Sequence, residues 1–202
     1  MTRNSAVVRV LGSIVSWLLF ALSFTLLVQA VFGVMSVGGA CASGTTPYVI
    51  AHQCPDTSLW AAPAVFGGLI AVALSFFLAQ GYGTSLVVLA WPILFGVLGA
   101  IFVSSLEITG YLLGAMFLAF ALIPLILALR ASAQRVFLGA VNSAGVRFYE
   151  GENARQIPLS VSFADSDNPV RPTAVSWLAS IVIWLVSSGV GFWLALKIDG
   201  GV

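Results

Sequence analysis

The sequence predicts an all-α transmembrane protein: a five-helix bundle, N-terminus in and C-terminus out, with a disulfide-closed external loop and a small cytoplasmic β-rich segment. Three observations carry that prediction. Of 202 residues, 60% are hydrophobic and 7% charged, where soluble proteins carry about 25% charge. Five long stretches hold no charge at all. Seven of the eight cations fall in two segments, not along the whole chain. A mean hydropathy of +1.07 leaves too much apolar surface for an independent water-soluble domain. Disorder is untenable for so apolar a chain. A net charge of +1 offers no basic face to neutralise phosphates, which excludes nucleic acid as a partner.

A hydrocarbon core about 30 Å thick takes roughly 20 apolar residues as helix. The uncharged stretches of that length are residues 10–37, 60–79, 85–105, 110–129 and 174–196. Residues 85–129 are too long for one crossing, so Leu106-Glu107-Ile108-Thr109 is read as a turn between two helices. Another turn is expected at Gln80-Gly81-Tyr82-Gly83-Thr84. Arg3 and Arg9 precede the first span, and Arg130, Arg135, Arg147, Arg155 and Arg171 lie between the fourth and fifth. Placing both segments in the cytoplasm puts seven of the eight cations inside and leaves Lys197 outside. The first stretch is nearly twice the length of a signal-peptide core, so it is read as a permanent helix. The expected organisation is a four-helix transmembrane region over 1–130 with the external cysteine loop at 38–59. A cytoplasmic β-rich loop over 131–173 follows, and then the fifth helix and an external tail over 174–202.

Cys41 and Cys54 are the two cysteines, and both fall in the external loop. An oxidising compartment and an even count predict a structural disulfide. Closing a 14-residue loop stabilises by about 3 kcal/mol in the chain-entropy model. Two other readings use the same atoms. A thiol–disulfide relay wants Cys-x-x-Cys or a second pair, and neither is present. A metal site drawn from Cys41, His52, Cys54 and Asp56 has acceptable ligand types, but Cys-x10-His-x-Cys is not a ligand spacing. No metal is therefore expected, and no cofactor.

In the cytoplasmic segment, the apolar run 136–141 and the stretch 146–150 flank Asn142-Ser143-Ala144-Gly145, the pattern of a β-hairpin. Ile157, Leu159, Val161 and Phe163 alternate with Pro158, Ser160 and Ser162, which reads as a third strand kept to an edge by Pro158. A capped connecting loop fits the same residues equally well.

Within the spans the chemistry is that of packing. Gly96-x-x-x-Ala100, Gly110-x-x-x-Gly114 and Ser187-x-x-x-Gly191 are small-x-x-x-small patterns that let helices approach closely. The spans are read as essentially free of ionisable residues, which argues against ion-coupled transport, a retinal lysine and intramembrane proteolysis. No catalytic residues are expected.

Two stretches together, Gly38-Gly39-Ala40-Cys41-Ala42-Ser43-Gly44-Thr45-Thr46-Pro47-Tyr48 with Cys54-Pro55, and Leu89-Ala90-Trp91-Pro92-Ile93-Leu94-Phe95, resemble uncharacterised multi-pass membrane proteins of actinobacteria. The resemblance covers about the first 130 residues. It implies a bacterial plasma membrane and brings no activity with it. The function expected on these grounds is that of a non-enzymatic accessory or scaffold subunit, embedded in the bilayer and bound to a protein partner or to further copies of itself. The alternatives are a small oligomeric permease or channel for an uncharged or apolar solute and, last, an extracytoplasmic thiol–disulfide redox protein.

Overall fold

The computed structural model describes residues 6–38, 41–42, 52–79, 83–104, 108–138 and 174–198. They form five α-helices: α1 Ala6–Ser36, α2 Ala61–Leu74, α3 Leu86–Ser104, α4 Ile108–Leu138 and α5 Ala174–Ile198. A 3-10 turn, Asp56–Trp60, leads into α2, and a π-helical turn, Ser75–Ala79, continues it. No strand is formed among the described residues; the one β-type pairing is an isolated bridge between Ala42 and Gln53. Each helix, α2 taken with its flanking turns, is long and apolar enough to cross a bilayer. Large apolar side chains stay exposed along all of them, among them Phe66 (65%), Leu112 (68%) and Leu178 (64%). Surfaces of that kind need hydrocarbon around them, so the chain is an integral membrane protein.

Two expectations about helix ends are corrected. The first helix begins at Ala6, not near residue 10, and Arg9 lies within it, fully buried. Arginine is a good helix former and no breaker separates Ala6 from the apolar run, so the helix takes it in. The first span is therefore not free of ionisable groups. The fourth helix continues to Leu138 instead of ending at residue 129. Arg130 to Leu138 contains neither Gly nor Pro, and the buried Val136 (1% exposed) anchors the extension. Residues 136–138 are thus helical and not the start of a strand. The rest of the expected β-rich segment lies outside the described residues.

Contacts divide the chain into two compact units, Met1–Ile14 with Leu74–Leu185, and Val15–Ala73 with Val186–Val202. In the first unit, α3 and α4 pack as an antiparallel hairpin. The close approach comes from Gly99 and Gly114. A Cβ on Gly114 would sit 2.9 Å from the Gly99 carbonyl oxygen and 3.0 Å from the Val103 nitrogen; one on Gly99 would meet Leu118 at 2.8 Å. Backbone touches backbone there, which only glycine allows. Aromatic rings fill the rest of the hairpin. Phe95 lies 4.3 Å from Trp91, 5.7 Å from Phe117 and 5.9 Å from Phe120, and Phe102 stacks on Phe117 at 5.3 Å.

In the second unit, α1 and α2 run antiparallel in a fixed register. Gly33 faces Thr57, Leu26 packs with Ala64, and Ser23 fits against Gly67. Each step back along α1 is matched by an equal step forward along the facing chain. Ala195 of α5 closes the same core. Higher on α5, Gly191 lies against the backbone of Leu18 and Leu22, too tightly for any side chain. Trp17 packs edge-on against Phe20, which stacks on Phe24.

Two glycines of the hairpin make opposite predictions. Gly114→Val should lower the melting temperature in mild detergent, an overpacking cost of about 1–3 kcal/mol. Gly96→Ala should leave it unchanged, because its nearest neighbour would be Ala121 Cβ at an ordinary 3.8 Å.

Candidate functional site

At the start of the α1–α2 connection, Cys41 and Cys54 are joined by a disulfide with Cα atoms 4.9 Å apart. Two backbone bonds reinforce it: Ala42 N–H donates to the His52 carbonyl at 3.1 Å, and Cys54 N–H to the Ala42 carbonyl at 3.4 Å. Pro55 follows and cannot extend the pairing. The 3-10 turn it introduces brings Thr57 and Pro55 against Gly33 of α1. The loop base is thus clasped to α1 through covalent bond, backbone bonds and packing together. Bonded to each other, the two sulfurs offer no thiolate ligand in this oxidised state. His52, Gln53 and Asp56 stand exposed around the clasp, and no cluster of three metal-ligating side chains occurs among the described residues.

Among the described residues, the densest polar arrangement belongs to the first unit. Both ends of helix chemistry meet there. The last four carbonyls of α4 have no intrahelical donor, and the first N–H groups of α3 have no intrahelical acceptor. Ser85 N–H, just before α3, donates to the Val136 carbonyl of α4 at 2.8 Å, while the Ser85 carbonyl accepts from Leu89 to open α3. One carbonyl further on, Phe137 O accepts from Ser180 Oγ of α5 and lies 3.3 Å from Thr84 Oγ1. The two hydroxyls are 3.2 Å apart. With two protons for three contacts, Ser180 donating to the carbonyl leaves Thr84 to donate to that same carbonyl or to Ser180 Oγ.

The cluster is closed from two further sides. Gly83 holds a positive φ of 70°, and a Cβ there would lie 3.3 Å from Ser13 Oγ and 3.7 Å from Ser180 Oγ. Arg9 sits one turn before Ser13 on the same face of α1. Arg9, Ser13, Thr84 and Ser180 are all buried. The Phe137 and Trp177 rings, 6.2 Å apart, shield one flank. Chemically this is a capping centre. Its serine proton goes to a backbone carbonyl, not to a base, so the hydroxyl is not activated as a nucleophile.

The residues expected from sequence to mediate close packing fall in different places. Gly114 sits at the tight α3–α4 crossing, while Gly110 is buried on the same helix. Gly96 faces Ala121 loosely and Ala100 is exposed. Ser187 is buried, and Gly191 makes the backbone contact with α1 described above. The structure adds Gly33, Gly67 and Gly99 to them, and Thr84 and Ser180 as a polar pair 96 residues apart in sequence. Ser85 was findable as a helix N-cap ahead of an apolar run. Ser180, one hydroxyl among aliphatic residues, carries no such signal.

Beside the α3–α4 aromatic cluster an open groove of about 620 Å³ is lined by Trp91, Ala119, Phe120, Ile123 and Pro124.

Breaking the clasp by Cys54→Ser should destabilise the protein by about 3 kcal/mol, read as a lower melting temperature in detergent. Unreduced, denatured wild-type protein should take up no maleimide, and reduced protein should take up two per chain. Gly83→Ala should cost about 1–2 kcal/mol, because an L-residue is forced to positive φ. Comparison with protein-family models, curated proteins and solved structures finds no match to this chain.

Proposed function

We propose that the protein is a non-enzymatic subunit of a bacterial plasma-membrane assembly, inserted with its N-terminus in the cytoplasm and its C-terminus outside. The cysteine loop then faces outward and residues 139–173 face inward, and these two segments meet the partner protein. The observation that carries the reading is what four hydroxyls and both sulfurs bond to. Thr25, Ser36 and Ser104 donate to carbonyls of their own helices, and Ser180 to a carbonyl of a neighbouring helix. The sulfurs are spent on each other. These hydroxyls satisfy backbone within a helix or, at Ser180, between two helices, and α4, the least buried of the five spans, presents an apolar flank. The orientation is supported by the cations, which the inside assignment gathers on one face.

The apolar groove on the α3–α4 hairpin favours one second reading, an oligomeric permease for an uncharged or apolar solute. Gentle isolation from the native membrane after crosslinking in cells separates the two. A subunit should be captured in a discrete complex of defined composition. A protein recovered without any other polypeptide, as copies of itself alone, with solute flux in liposomes that Ala119→Phe abolishes, would overturn the subunit reading and support the permease.

A further inference from the structure

Between Leu138 and Ala174 lie 35 residues of connection, yet the helices on either side are already joined without it. The last turn of α4 is bonded through Phe137 O to Ser180 of α5, 43 residues away, and Phe137 lies against Trp177. Thr84, 53 residues from Phe137, and Ser85 bind the same turn from the α2–α3 connection. Thr84, Val136 and Ser180 are each at most 4% exposed, so water does not compete for these bonds. We propose that this stem, and not the covalent connection, holds α4 to α5. Severing the connection then leaves the two helices assembled.

The physical reason lies in the acceptors. A helix C-terminus with its carbonyls unmet is costly wherever water is excluded. Among the described residues, the donors that relieve the cost come from α5 and the α2–α3 turn, so docking those elements caps α4. Cap and docking are one event. The inference goes beyond the subunit reading and stands whether or not a partner binds.

The test uses the full chain carrying a site for a sequence-specific protease inserted after Gly145, purified in mild detergent and then cut. The fragment bearing α1 to α4 and the fragment bearing α5 should co-elute, and the cut protein should melt near the uncut temperature. Fragments that separate on cutting would overturn the proposal. Because Gly191 also ties α5 to α1, a Thr84→Val, Ser180→Ala variant isolates the stem. Uncut, the tether keeps the variant assembled through high effective concentration; once cut, it should melt several degrees below cut wild type or fall apart. If the cut variant behaves as cut wild type, the stem is not the clamp and the proposal fails. Ser180→Thr, which keeps the hydroxyl, should behave as wild type and separates a lost bond from a misfolded helix.

Discussion

A peptide group in hydrocarbon has nothing to bond to but the protein itself, and this governs the whole structure. It explains why the described residues are almost entirely helical, since a helix satisfies its backbone internally. It also concentrates the remaining difficulty at helix ends, where four donors or four acceptors are left over. α1 and α4, at 31 residues each, span about 46 Å at 1.5 Å per residue and carry at least one end beyond a core about 30 Å thick. The capping centre around Phe137 handles what remains at the far end of α4. Acceptors of one helix face donors from the start of another, and serine and threonine hydroxyls complete the set.

Association of the helices follows from a second constraint. Lipid tails are as apolar as leucine, so burial alone does not bring helices together. Contact has to come from shape. The close approaches are backbone against backbone: Gly99 with Gly114 in one unit, Gly191 with Leu18 in the other. Aromatic rings fill the space beside these crossings in the α3–α4 hairpin, where a ladder runs from Trp91 through Phe95 to Phe117 and Phe102. The disulfide adds a constraint of another kind. It acts on the unfolded chain by closing a loop, and the bonds at Ala42 and Cys54 align that closure with the start of the α2 turn.

Much of this was legible in the sequence, and the reasons are specific. Span number was readable because the apolar runs are long and their breaks polar, as at Gly83-Thr84-Ser85. The disulfide was readable because two cysteines flank one loop and no others compete. The helix ends were not, because a charge marks the edge of an apolar run and not the end of a helix. Arg9 and Arg130 are both good helix formers, and a helix does not stop where hydrocarbon does. Small-residue spacing located Gly114 and Gly191 but gave Gly96 and Ala100 equal weight, since a four-residue spacing says which residues share a face and not which face meets a neighbour. Ser180 and Thr84 become a site only through a fold that joins residues 96 apart.

The central claim is that five helices thread the bilayer, an odd number that must leave the two ends of the chain on opposite faces. Protease protection of intact spheroplasts bearing one epitope before Ala6 and another after Ile198 tests it most directly. The account predicts that external protease removes the C-terminal epitope alone, and that the N-terminal one is lost only after the membrane is permeabilised. Removal of both epitopes, or protection of both, in the intact spheroplasts would contradict it.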